Sequence, residues 1–478
     1  MPVEQLMPAP MESKTTTRAQ RAAIGLTGAA LFMVVLDNLI VASTLPAIQD
    51  DLGASLGTLG WVLDAYLLVF AVLMLTAAAL GDRYGRLRVF TGGVLIFTAA
   101  SAAGALAPNV EVLIAARALQ GIGGAVIMPL TLTLLGAAFP PEKRAGALAV
   151  WSAISLTGVA LGPVVGGVLT DTLSWHWIFW VNVPIGLAIA VAAPRLLDES
   201  RGGAGRLDLA GVALAGTGLL PVVWATVRAN DAGWGSAQTI AAYAVGAAVL
   251  ATFVAHQRRI PHAMVPPRLF AGREFSAINA AGFLLSFAMF GAFVMVIQFL
   301  TEARHEGPVS SGVHTLFWTL MPVVVAPFPA RLGRRIAPGA LVAGGLGIAA
   351  VGMGTLAVVI DAGTSAMALA PGLTITGLGV GFVVPNLAAA ALAGAETDDI
   401  GKASGVLSTS RQLGAVFGVA VSVAIFQAAG GAAGVSSVAA GTQAGLVSAT
   451  LAAALGAVLA TAGLPRAAWR PALARAAD

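Results

Sequence analysis

The chain has 478 residues, of which 58% are hydrophobic and 10% charged, with a formal net charge of +4 and no cysteine. Soluble domains carry about 25% charged residues, so a water-soluble enzyme or nucleic-acid-binding domain is excluded, as are disulfides and thiolate metal sites. A mean hydropathy of +0.88 and 58 glycines describe an all-α integral membrane protein whose helices approach closely through small residues.

Residues 1–20 are polar, and Lys14, Arg18 and Arg21 lead into the first apolar run. That run is longer than a signal-peptide core and lacks a small-residue cleavage site, so it reads as a retained first helix behind a cytoplasmic tail, 1–21. Fourteen apolar segments follow the length a bilayer span needs, roughly 20 residues: 22–44, 57–80, 89–107, 111–135, 146–170, 177–195, 208–228, 239–256, 276–300, 312–330, 338–360, 366–391, 402–428 and 442–464.

Basic residues fall in alternate loops, among them Lys143 and Arg144, Arg258, Arg259 and Arg268, Arg331, Arg334 and Arg335, and Lys402; the other loops offer only Arg228 and Arg304. The positive-inside rule then places both termini in the cytoplasm and makes the number of spans even. The expected location is the cell membrane, multi-pass, with 465–478 a second cytoplasmic tail.

Between the second and third segments lies Gly81-Asp82-Arg83-Tyr84-Gly85-Arg86-Leu87-Arg88. Two spans must reverse there in under ten residues. The glycines permit the turn, and Asp82 can accept from an arginine or face a helix N-terminus. An ordinary basic loop explains the same residues.

The pattern recurs. Gly85-Arg86 returns as Gly333-Arg334, Gly121, Gly123 and Pro129 return as Gly377, Gly379 and Pro385, and Ala145-Gly146 returns as Ser404-Gly405, at offsets of 248, 256 and 259 residues. Two homologous six-helix bundles, 22–195 and 276–464, would drift in this way. The surplus pair of helices falls in 196–275, inserted between them. Halves of this kind usually flank a central site.

Ionisable groups within spans are costly and point to function. Asp37, Asp64, Arg117 and Arg411 are such groups. At 1.5 Å per residue the first three lie about 10 Å from the outer ends of their helices, so one cluster of two carboxylates and a guanidinium is expected. Arg117 would hold one aspartate, leaving the other free to exchange a proton. Asp64 is the favoured carrier and Asp37 the second. A permanently paired anchor for three helices is the structural alternative.

Candidate cavity residues are Asn38, Trp61, Tyr66, Gln120, Trp151, Phe290, Gln298 and Asn386, with Trp318 and Gln412 also considered. There is no phosphate-cradling G-x-x-x-x-G-K-[ST] and no metal-ligand spacing, so neither ATP, a metal nor an organic cofactor is expected.

These residues resemble the major facilitator superfamily, specifically its fourteen-helix drug:proton antiporter branch. The resemblance rests on the 81–86 loop, Arg117-Ala-Leu-Gln120-Gly121-Ile-Gly123-Gly124, Gly158-Val-Ala-Leu-Gly162-Pro163-Val-Val-Gly166-Gly167, Leu36-Asp37-Asn38 through Thr44-Leu45-Pro46, and Trp177-Ile-Phe-Trp180-Val-Asn182-Val-Pro184. The second half matches through helix count and the repeat. Departures are Ala330 where the first half has Asp82, Ala149 where the helix-5 motif has a further glycine, and Asp64 where relatives often carry a small residue.

The resemblance implies a proton-driven multidrug exporter of hydrophobic or cationic compounds. It would have the proton as coupling ion, the lipid bilayer and a small molecule as partners, no nucleic acid, and a monomeric state. In that scheme Gly81, Asp82, Arg83, Gly85 and Arg86 form a cytoplasmic gate. Gly158, Gly162, Pro163, Gly166 and Gly167 form the antiporter motif, a tight-packing face expected to meet the other half. Alternatives are a dedicated exporter of one metabolite, antibiotic or lipid, and a non-transporting membrane sensor.

Overall fold

The computed structural model describes residues 17–463 apart from 55, 202–207, 326–327, 329–335, 394–398 and 432. The tails, the acids Glu396 and Asp398, and the second-half basic loop with Arg331, Gly333, Arg334 and Arg335 lie outside the described residues.

Among the described residues the chain is helical, with no strand. The first part comprises α1 (Arg18–Leu52), α2 (Leu56–Tyr84), α3 (Arg86–Ala105), α4 (Val110–Ala138), α5 (Pro141–Thr172), the short α6 (Trp177–Trp180) and α7 (Asn182–Leu196). Next come α8 (Leu209–Ala232) and α9 (Ala237–Gln257). The last part holds α10 (Arg273–Gln298), α11 (Pro308–Thr319), α12 (Met321–Val325), α13 (Pro338–Val359), α14 (Ala370–Ala393), α15 (Ile400–Ala428) and α16 (Val435–Gly463).

Among the described residues twelve helices are long and apolar enough to cross a membrane. Fourteen were expected. The two expected segments outside that set are 146–170, which lies within α5 (Pro141–Thr172), and 312–330, which covers most of α11 and all of α12 and runs into residues outside the described ones. The chain is a multi-pass membrane protein.

Local chemistry sets the helix ends. Thr17 accepts from the Gln20 N–H at 3.2 Å while Gln20 Oε1 accepts from the Thr17 N–H at 3.1 Å, a capping box. The first helix therefore starts before residue 22. It also runs past 44 to Leu52, because Gly53 at φ +60° supplies the left-handed cap.

The close packing has a repeated cause. A Cβ on Gly121 would come 2.7 Å from the Tyr66 carbonyl on α2, and one on Gly123 would come 2.7 Å from the Phe97 backbone on α3. Gly377 meets the Trp318 carbonyl on α11, and Gly379 meets Gly345 and Ala349 on α13. Each glycine thus lets one helix backbone touch another, which is how helices associate where lipid removes the hydrophobic drive. Helix partners recur in the same way. The pairs α2·α4, α3·α4 and α1·α5 correspond to α12·α14, α13·α14 and α10·α15.

The cores report which end is closed. One cluster joins both parts of the chain near the 81–88 loop, with Leu135, Leu148 and Trp151 from α4 and α5 beside Leu285, Val384, Leu387 and Leu407 from α10, α14 and α15. At the opposite end the cores are separate. Ile40, Val62, Leu113 and Phe179 form one, and Met295, Phe299, Met353 and Leu446 form another.

The α8–α9 pair seats α8 against both α2 and α15. Its loop-side end is tied by Asp208, which caps α8 at the Gly211 N–H (2.7 Å) and also receives His256 Nε2 (2.8 Å) and Gln257 Nε2 (2.5 Å). Burial pushes the Asp208 carboxyl up, but these hydrogen bonds outweigh it and hold the group below the usual carboxylate range. A depressed folded-state value stabilises above the unfolded value and is lost as pH falls through the folded one. Asp208→Ala is therefore expected to cost about 1 kcal/mol at pH 7 and to flatten the acid side of the thermal-unfolding profile below about pH 4. An unchanged profile would show that the cap does not hold this hairpin.

Candidate functional site

Asp37 on α1 and Arg117 on α4 are enclosed, at 1% and 0% exposure. Arg117 Nη1 meets Asp37 Oδ2 at 2.5 Å. The same Nη1 reaches Gln120 Oε1 at 3.0 Å, and Nε donates to the Val62 carbonyl of α2 at 3.0 Å. The Tyr66 ring lies 4.3 Å from the guanidinium carbon, a cation–π contact.

The other carboxylate oxygen, Asp37 Oδ1, accepts from Gln120 Nε2 at 3.0 Å and from Asn182 Nδ2 at 2.9 Å. Gln120 also donates to Ser101 Oγ at 2.7 Å. Five helices of the first part thus converge on one carboxylate. A buried charge is tolerable when it is paired and its remaining lone pairs are satisfied, and Asp37 meets both conditions. Some capacity is left over: Arg117 Nη2 and Asn182 Oδ1 are enclosed without a hydrogen-bond partner among the described residues.

Asp64 does not join this group. Val62 and Tyr66 turn toward Arg117, and a residue midway between them points to the other side of a helix with 3.6 residues per turn. Asp64 therefore shares a side with Trp61, whose ring stands 5.5 Å from the Arg228 guanidinium of α8. Arg228 in turn pairs with Asp231 at 3.5 Å. Asp64 is half-buried, and no hydrogen-bond partner for it occurs among the described residues. The expected three-residue cluster is thus one enclosed pair and one separate carboxylate facing α8.

The 81–88 turn closes the loop end. Gly85 has φ +109°, a conformation open to glycine at little cost. Arg86 is enclosed and pairs with Asp82 at 2.8 Å. Glu199, far along the chain, accepts from the Leu87 and Arg88 N–H groups at 2.9 and 3.1 Å, capping α3 with an anion. Asp82 also lies against Gly401 in the first turn of α15. Beside it, Ser404 Oγ donates to the Pro129 carbonyl of α4 at 2.9 Å. Asp399 holds Arg268 through two hydrogen bonds of 2.9 and 3.0 Å and Lys402 at 3.1 Å.

Other sequence candidates are placed differently. Tyr66, Gln120 and Trp151 are enclosed in helix packing and do not line an open cavity, because Tyr66 and Gln120 serve the Arg117 network and Trp151 fills the shared core. Asn38 and Asn386 turn their amides to their own helices, to the Val34 and Phe382 carbonyls. Phe290 and Gln298 are half-buried on α10. On α5, Gly158 meets Phe32 and Leu36 of α1, while α5 as a whole also packs against α11, α12 and α14 of the last part. Gly162, Gly166 and Gly167 are buried, and the Pro163 side chain lies outside the described residues.

Sequence reasoning missed Asn182, Ser101 and Glu199. Asn182 carried a signal, being an amide inside an apolar run, whereas Ser101 and Glu199 carried none.

A profile of the Major Facilitator Superfamily matches residues 27–419. The chain is 34% identical to the Tetracenomycin C resistance and export protein of Streptomyces glaucescens, over 82% of this chain and 73% of that protein. It is 34% identical to the Multidrug efflux pump LfrA of Mycolicibacterium smegmatis, over 86% of this chain and 81% of that protein. The fold is similar to that of the human organic anion transporter MFSD10, with a TM-score of 0.68 over 92% of this chain and 99% of that one, at 15% identity. That likeness speaks for the fold alone.

Proposed function

The chain belongs to the Major Facilitator Superfamily, and from this premise we propose that it is a proton-driven exporter of drug-like compounds working by alternating access. The observation that carries the reading is the similarity to resistance, export and efflux proteins over more than four-fifths of the chain. In this reading it is no enzyme.

The finer architecture belongs to the same proposal. Fourteen spans divide into bundles at 22–195 and 276–464, with the α8–α9 pair inserted and both termini cytoplasmic. The 81–88 loop then marks the cytoplasmic side. The core shared at that side and the separate cores opposite correspond to an outward-facing state. Asp82 against α15 and Asp399 on Arg268 are the contacts that must break for the halves to rock inward. Asp37 and Asp64 are the two carboxylates available to carry the proton. Asp64, lacking a fixed partner, can change charge without dismantling the helix packing, whereas Asp37 cannot.

The test is substrate-triggered proton flux in liposomes carrying a pH gradient, for wild type, Asp64→Asn and Asp37→Asn. Flux lost in Asp64→Asn with binding retained is expected. Flux with no compound in wild type would overturn antiport.

A second reading, export of a single compound, is favoured by the relative named for tetracenomycin C. Competition among unrelated compounds separates the two.

A further inference from the structure

One cation on α15 is unused by this mechanism. Arg411 lies on α15, about 17 Å from the start of the helix. Its side of the helix is set by Ser404, two turns earlier, which bonds the Pro129 carbonyl of α4 across the seam. Leu407, one turn earlier, belongs to the core that both halves share.

The Arg411 stem lies over Gly282 of α10. A Cβ added to Gly282 would come 3.4 Å from Arg411 Cγ and 3.2 Å from Leu387 and Leu407. An apolar wall thus surrounds the stem. Arg411 as a whole is half-buried, but its guanidinium Nε is enclosed and has no hydrogen-bond partner among the described residues. Among the described residues no carboxylate comes within ion-pair reach of the group.

The enclosed arginines Arg86 and Arg117 differ. Arg86 has Asp82 and Arg117 has Asp37. Both of those acids are committed: Asp37 bonds three side chains, and Asp82 sits at the loop end. One turn from Gly282, Asn279 donates to the Phe275 carbonyl at 2.8 Å and leaves its Oδ1 enclosed and unbonded.

A cation fixed in the membrane interior without a counter-ion is costly, and such groups mark substrate or ion paths. A guanidinium offers a planar fork that fits a carboxylate through two parallel hydrogen bonds. We propose that Arg411 is the anion-recognising group of the path between the halves, and that the cargo includes amphipathic carboxylates, with an apolar body against Leu387 and Leu407 and the acid on Arg411. This rests on the exporter reading and narrows it. The same charge repels lipophilic cations from this level of the path.

The test uses three probes with one ring system: pyrenebutyrate, pyrenebutanamide and pyrenebutylamine. Their binding to the full chain in lipid nanodiscs is read by energy transfer from tryptophan. Wild type is expected to prefer the carboxylate over the amide by about tenfold, with the amine weakest. Arg411→Gln should remove the preference, and Arg411→Lys, which keeps the charge without the fork, should keep part of it.

Equal binding of carboxylate and amide by wild type would overturn the proposal even if Arg411→Gln failed to fold. So would a preference that survives in Arg411→Gln. Proton-driven uptake of the amide in proteoliposomes separates the two readings. If the amide is moved and no carboxylate preference exists, the exporter stands and this inference falls. If an Arg411-dependent preference exists and no probe is moved, Arg411 stands as an anion-binding group and the exporter reading falls, with the claim about cargo.

Discussion

Asp37→Ala is expected to abolish transport and to lower stability by about 3–5 kcal/mol, because it strands Arg117 as an enclosed, unpaired cation. The loss is large for a structural reason. Asp37 Oδ2 neutralises the guanidinium at 2.5 Å, and Oδ1 collects Gln120 and Asn182. Removing the carboxylate therefore frees donors on α4 and α7 at once, within an enclosed site. Asp37→Asn keeps an acceptor and is expected to cost less. The double variant Asp37→Ala/Arg117→Leu should recover much of the stability but none of the transport, since no charge is left stranded. Thermal unfolding in detergent, followed by tryptophan fluorescence, measures all three. An Asp37→Ala protein that unfolds at the wild-type temperature would show that the pair anchors nothing.

The second large effect is expected at the closed end. In Gly401→Val the new side chain would occupy the place of the Asp82 carboxylate. Asp82 could then keep Arg86 only by leaving the first turn of α15, where the helix dipole favours an anion. The contact between the halves should loosen and the neighbouring Ser404–Pro129 bond should break.

Because the chain has no cysteine, a single Ser408→Cys substitution can report this. Ser408 is buried on α15, so a membrane-permeant maleimide should label it slowly in the otherwise native chain. In the Gly401→Val background labelling should rise about tenfold, equivalent to about 1.4 kcal/mol of lost closure, with transport falling in parallel. Unchanged labelling would mean that Asp82 does not hold this end shut. Gly401→Ala, with one carbon in the same place, should lie between.

Much of the fold was legible because lipid imposes it. A span must satisfy its own backbone and present apolar side chains, so hydropathy and length locate helices such as 89–107, observed as Arg86–Ala105. The repeated Gly-x-Gly pairs were also legible, and their cause is visible: Gly121 and Gly123 touch α2 and α3 as Gly377 and Gly379 touch α11 and α13. Local caps were less legible, since the extension of α1 to Leu52 depends on a single glycine at φ +60°.

The pairing of Asp37 with Arg117 followed from depth alone, because both lie at one level. Asp64 lies at that level too, yet its azimuth on α2 turns it to Arg228 of α8, and azimuth depends on which helices pack on which side. Tyr66, Gln120 and Trp151 were read as cavity residues for the same reason: their types suit a cavity, but close packing encloses them. Glu199 caps a helix more than a hundred residues away in sequence, and no local pattern announces such a partner.

By itself, then, the sequence determined that this chain crosses a membrane many times, with a recurring glycine pattern, a charged turn at 81–88 and rare ionisable groups within the spans. The bilayer makes those features local properties of composition, length and spacing. Only the tertiary structure decided which charges are neutralised, where the two parts of the chain share a core, and that Arg411 meets no carboxylate among the described residues. Each of these depends on the rotation of one helix against another, which short-range sequence does not encode.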